Sequence, residues 1–205
     1  NDAIWSIQNK REMRLVEVGY DYTSIPQTVA YPIDFLPLQI LYHRGVIHLS
    51  GIVKGKNKIL AIALNQLKKY SLTNNMFDNR DLLAALRREM DNRFGITDNM
   101  NNEIYDIEIE FSELTGEFVK HHFWHQSQNF LKLCNGNYVM TLRCGINREL
   151  VGWIFQWMSN ARVIKPESLQ ELVKEKHREI LDNYGSDMPL SSNNSFMNTE
   201  VLDKN

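Results

Sequence analysis

Between Thr28 and Leu64 the chain reads TVAYPI, LQILYH, VIHLSGIV and KILAIAL, separated by turn material such as His43-Arg44-Gly45 and Lys54-Gly55-Lys56-Asn57. These runs are rich in β-branched and aliphatic residues and too short to be core helices. Strands of this length, repeating at a spacing of roughly ten residues, have few folded solutions: a small barrel or a sandwich. Ahead of them, Ala3, Ile4, Ile7 and Met13 mark a short helix, followed by RLVEVGY, where Leu15 and Tyr20 bracket an extended segment containing Val16 and Val18.

The period then changes. In FDNRDLLAALRREMDNRFG, Asp78 caps a helix, Phe77 staples onto Leu82, the stripe Leu82, Leu86, Met90 faces inward and Gly95 suits the position just past the C-terminus. This helix and the polar TDNMNNE behind it read as a connection between domains.

In IYDIEIEF, Ile107, Ile109 and Phe111 alternate with Glu108 and Glu110, the pattern of a strand with one wet face. A short helical piece around Glu117 to His122 precedes NFLKLC and YVMTLRC, which flank Asn135-Gly136 as a hairpin. Asn147 opens a helix with Leu150, Trp153, Ile154 and Trp157 at helical spacing. The strand ARVI leads to Pro166 and a last helix carrying Leu169, Leu172, Val173, Ile180 and Tyr184. Strand, helix, strand, strand, helix, strand, helix is a ferredoxin-like α+β unit with one added helix. The expected organisation is thus residues 1–77 as the small β-barrel with its N-terminal helix, 78–101 as a linker helix, 102–185 as the ferredoxin-like domain, and 186–205 as a loose polar tail.

With 205 residues and 43% apolar content the chain holds one large or two small cores, and a net charge of −2 leaves any anion site to a local cluster. Two cysteines are too sparse for an exported disulfide scaffold. An Asn135-Gly136 hairpin sets Cys134 opposite Asn137 and Cys144 near Ser127, so free thiols are expected. No uncharged run reaches the roughly 18 residues of a membrane span, and no cationic segment precedes an apolar one at the N-terminus. A reduced cytoplasm is the expected setting. The chain opens on Asn1 directly into a helical pattern and reads as part of something longer.

The stretch HHFWHQSQ places His121, His122 and His125 beside Trp124 and raises the question of a metal. No Cys or carboxylate stands at ligand-like spacing within it, so the rings are expected to bond locally at a helix-to-strand junction, without a metal or other cofactor. Trp153 and Trp157, four apart on an amphipathic helix, suit core or dimer packing. No nucleophile elbow, phosphate-binding glycine loop or zinc-protease motif occurs, so catalysis is unmotivated.

The most informative functional feature is Arg44, His48, Lys54, Lys56 and Lys58 with Tyr20 and Tyr42 in the first half. Loop lysines ordinarily mean a solvated turn. The alternative is physical: strand-borne Tyr and His stack on bases while nearby cations meet phosphates, as small barrels do with single strands and nucleotides.

From Trp124 to Val173 the Ser127-Gln128 pair, the Asn-Gly hairpin, the Glu149-Leu150 start of a Trp-containing helix and ARVIKPESL resemble, in order and spacing, the C-terminal extension of WYL domains in bacterial transcriptional regulators. The first half, with RLVEVGY, LPLQILYHRGVIHLSGI and ILAIALNQL, resembles the WYL domain itself, an Sm-like or SH3-like small barrel. Ile47-His48-Leu49 occupies the name-giving tripeptide, Gln66 stands where the family carries an arginine on its ligand face, and 27–37 holds neither Arg nor Lys.

The resemblance implies the effector-sensing and dimerisation portion of a regulator: a homodimer with a nucleic-acid or nucleotide-like effector on the barrel, and operator DNA bound by a helix-turn-helix domain ahead of Asn1. Two rival readings are a stand-alone single-stranded nucleic-acid binder and a purely structural dimerisation module.

Overall fold

The computed structural model describes residues 2–19, 30–56 and 58–185. Tyr20, the first residues of TVAYPI and the polar segment 186–205 lie outside them. The chain divides into two compact units, Asn1–Asp91 with Ile96–Asp98, and Asn92–Gly95 with Asn99–Asn205.

The first unit begins with α1 (Asp2–Gln8) and β1 (Arg11–Val18), continues through β2 (Ile33–His43), β3 (Val46–Val53), β4 (Lys58–Ala63), a 3-10 turn at Leu64–Gln66 and β5 (Leu67–Met76), and ends with α2 (Arg80–Asp91). Its sheet runs β4-β3-β2-β1-β5 with every neighbouring pair antiparallel. Both faces of the middle strands are covered. Met13, Leu15, Phe35, Leu49, Leu60 and Ile62 form one core, while Leu38, Ile52 and Ile59 meet Leu86 of α2, with Phe77, Leu82 and Met90 packed around them. That two-sided burial explains why VIHLSGIV and KILAIA are nearly unbroken apolar runs.

Several expectations change here. Among the described residues the sheet is open, with β4 and β5 as its two edges, rather than a closed barrel; β5 (LKKYSLTNNM) is polar and mostly exposed, offering little apolar surface to fold across β4. β2 begins at Ile33, the last residue of TVAYPI, and runs through Pro37 into LQILYH, with a register irregularity after Pro37 accommodating the missing amide. Met13 belongs to β1, not to the preceding helix. The amide of Arg80 donates to Asp78 at 3.1 Å, as capping requires, but α2 ends at Asp91 and Gly95 (φ +72°) lies beyond the cap position.

The second unit comprises β6 (Tyr105–Phe111), α3 (Glu113–Val119), β7 (Asn129–Lys132), β8 (Tyr138–Cys144), α4 (Arg148–Phe155), β9 (Ala161–Lys165) and α5 (Glu167–Tyr184). The succession of elements is the expected one, and the sheet order is β7-β8-β6-β9, antiparallel throughout. Ile107, Ile109 and Phe111 are fully buried and join Trp153, Leu150, Leu169 and Leu172 in one core. Asn147 caps α4, its side chain accepting from the Leu150 amide at 2.9 Å.

The helix placed at 117–122 starts four residues earlier, at Glu113. The hairpin register is also shifted by one: Leu133 pairs Asn137 and Cys134 falls in the turn, because Gly136 (φ +90°) closes a three-residue loop instead of a two-residue one. Cys134 is exposed there and Cys144 buried in β8, both free thiols, with burial pushing the Cys144 thiol up to about 12. No helix among the described residues is long and apolar enough to cross a membrane.

Candidate functional site

The β2–β3 hairpin is the natural scaffold for the candidate ligand residues, and it separates them. At its tip, Arg44 and Gly45 both take positive φ (47° and 83°), the geometry that matches the twist of the strands they join. Tyr42 pairs with Ile47 beside this turn, and both are exposed, at 77% and 48%. Ile40, two residues back on the same face of β2, is also partly exposed.

Lys54, Lys56 and Lys58 sit at the opposite end, beyond Val53. The eight residues of β3 place about 25 Å of strand between the two groups, so Arg44 and the lysines do not form one cluster. Sequence proximity was a poor guide because an extended chain covers distance quickly.

Two of the lysines are engaged. Lys54 lies 2.6 Å from Glu12, whose side chain is only 4% exposed and also accepts from the Asn75 amide. The hydrogen bond and charge of Glu12 raise the Lys54 pKa above its ordinary 10.5. Lys58 lies 2.8 Å from the buried carboxylate of Asp98. Lys56 is exposed in the turn.

His48 is not a surface stacking residue: it is buried at 4% exposure, with Nδ1 3.2 Å from the Val46 carbonyl and its ring edge-on to His43. The Gln66 carbonyl accepts from the Gly19 amide at 2.8 Å, and its side chain fills the space a Cβ would need on Gly19. Of the expected ligand residues, the structure therefore keeps Tyr42 and Arg44 together.

In the second unit the HHFWHQSQ junction resolves into local bonding. His121 Nε2 meets Glu117 at 3.4 Å, His122 Nδ1 donates to the Phe118 carbonyl at 2.9 Å, and His125 Nδ1 contacts Ser127 Oγ at 2.8 Å. Three rings with three separate partners do not converge, and no group of three metal-ligating side chains occurs among the described residues. Gln128 organises the loop: its oxygen accepts from the Trp124 and His125 amides at 2.7 and 3.0 Å, and its amide donates to the His122 carbonyl at 2.8 Å. Trp124 is thereby held against Trp153 at 5.2 Å and Trp157 at 5.9 Å.

Sequence reasoning passed over a network around Tyr138. Its hydroxyl donates to Glu117, Lys120 pairs with Glu117 at 2.7 Å, and Lys120 and Lys132 lie 4.9 and 5.2 Å from the ring centroid. The Lys120 ammonium first, then the Tyr138 hydroxyl and the His121 ring, hold the Glu117 carboxyl at about 2. The glutamate–lysine spacing at 117 and 120 was the available signal; Tyr138, 18 residues further on, was not.

Two antiparallel sheets in one α+β chain, with an exposed Tyr–Arg hairpin tip on the first, narrow the class. Residues 103–181 match the WCX domain, the WYL-related extension that the sequence pattern anticipated. That match falls within the second unit. Among solved structures, proteasome accessory factor B/C (PafBC) of Arthrobacter aurescens is similar at 14% identity over 90% of this chain and 27% of that chain, with a TM-score of 0.38. A CRISPR Cas-related protein is similar at 11% identity over 92% of this chain and 51% of that chain, with a TM-score of 0.56, which shows a shared fold. This chain spans about half of the latter and about a quarter of the former. No curated protein matches it.

Proposed function

We propose that the chain is the effector-sensing and dimerisation portion of a bacterial transcriptional regulator, with a WYL-type first unit of Sm-like or SH3-like descent. The carrying observation is the WCX match at 103–181 directly behind a five-stranded antiparallel unit. A β4-to-β5 connection through a 3-10 turn, with β5 returning beside β1, is the path such a barrel takes when its strands curl.

The effector is a nucleic-acid or nucleotide-like ligand at the β2–β3 tip, where Tyr42 offers a stacking face and Arg44 a guanidinium for phosphate. Ion pairing of Lys54 and Lys58 to Glu12 and Asp98 weighs against a stand-alone binder that relies on those lysines. Ligand binding favours one arrangement of a homodimer, and that arrangement sets the spacing of helix-turn-helix heads on operator DNA. The setting is the bacterial cytoplasm.

Fluorescence anisotropy with a labelled mixed-sequence single-stranded DNA, at low and moderate salt, tests the ligand. Salt-sensitive binding that Y42A/R44A weakens by about tenfold, and K56A leaves nearly intact, is the expected outcome. No binding at low salt overturns a nucleic-acid effector, and a monomer in sedimentation velocity overturns the dimer.

A further inference from the structure

Between β9 and α5 the second unit carries a groove of about 660 Å³, well inside the range of small-molecule sites. Ile154, Val163 and Val173 give it an apolar floor, while Arg162, Lys174 and Arg178 stand along its walls, and no acidic residue lines it. Two carboxylates that pair with these cations lie outside the lining: Glu171 pairs with Lys174 at 2.6 Å, and Glu110 binds Arg162 and, at 2.8 Å, the Asn137 amide. Those contacts hold Arg162 and Lys174 beside carboxylates that do not themselves line the groove.

Two macromolecular occupants are disfavoured by the walls themselves. β9 is an edge strand, but the Gln170 amide donates to the Val163 and Ile164 carbonyls at 3.1 and 2.7 Å, blocking the acceptors that an added peptide strand would use. A nucleic-acid strand needs aromatic faces for its bases, and the one ring in the lining, His177, already packs on Phe155 at 4.5 Å.

We propose that this groove binds a small amphipathic anion, with an apolar body on Ile154, Val163 and Val173 and a carboxylate, phosphate or sulfonate head among Lys174, Arg178 and Arg162. All of the lining residues belong to the second unit.

The probe is 1-anilinonaphthalene-8-sulfonate, titrated by fluorescence against the intact chain beside its neutral parent, N-phenyl-1-naphthylamine. Saturable sulfonate binding at one site per chain is expected, with the neutral compound about tenfold weaker. K174Q/R178Q should weaken the sulfonate by about tenfold and leave the neutral probe unchanged. L114S, at a residue 86% exposed on α3, should alter neither. Circular dichroism melts accompany each variant, and if the double variant melts early, R178Q alone decides. Equal affinity for the two probes, unchanged sulfonate binding in the charge variant, or loss of binding in L114S would each overturn the proposal.

Discussion

The Lys58 ammonium lies 2.8 Å from an Asp98 carboxylate that is only 3% exposed, which makes this lysine a structural counterion rather than a loose turn charge. Removing it leaves a buried carboxylate short of its partner. K58A should cost about 2 kcal/mol, toward the low side for a buried pair because the lysine itself is partly solvated. K56A, three residues from β3 in the same turn, should stay within roughly 0.5 kcal/mol. Urea midpoints for the two variants make the comparison directly.

Gly116 gives a substitution whose sign is opposite to the helical rule. Alanine in a helix interior is normally more stable than glycine by roughly 0.5–1 kcal/mol. Here a Cβ would fall 2.6 Å from Cβ and Cδ2 of Tyr138, and that Cβ is fixed to the β8 backbone and cannot swing away. G116A should therefore destabilise by about 1–3 kcal/mol. A thermal melt showing a stabilised G116A would disprove the tight approach of α3 to β8.

Glu117 predicts a pH dependence. Its carboxyl is held at about 2 against an ordinary 4.5, chiefly by Lys120, so its contribution to stability is complete above about pH 4.5 and fades as pH falls toward 2. E117Q should melt earlier than the wild type at pH 7, and the two curves should converge at the acid end. Parallel melting curves from pH 7 to pH 2.5 would remove the proposed Lys120–Glu117–Tyr138 coupling.

Gln128 bonds three backbone groups of the 122–125 loop through one side chain. Q128A should lose about 1–2 kcal/mol, since two partly buried amides and an exposed carbonyl lose that partner. Faster hydrogen exchange at the Trp124 and His125 amides is the specific readout. Unchanged exchange there would place the loop's rigidity in the Trp124 packing instead.

What the sequence conveyed follows from which interactions each element depends on. The α2 stripe Leu82, Leu86, Met90 and the alternation of β6 record side-chain burial, so their periods were readable. β5 was missed because it is held mainly by backbone pairing with β1, and LKKYSLTNNM has no buried face to leave a period. A positive φ at Gly136 decided a one-residue difference in hairpin register that Asn-Gly alone does not specify. For the site, residue types near Arg44 and Lys58 were visible, but neither the length of β3 between them nor the carboxylates at Glu12 and Asp98 can be read from local composition.

Ser127 precedes β7 by two residues, yet its hydroxyl accepts the Arg143 amide at 2.8 Å and donates to the Arg143 carbonyl at 3.3 Å. One side chain thus occupies both hydrogen-bonding groups of a β8 residue beyond the end of its partner strand. Left bare, that position would be a template for edge-to-edge association between molecules. The Ser127 hydroxyl fills both groups that an added strand would use, so S127A should lower solubility in concentrated solution by more than it lowers the melting temperature.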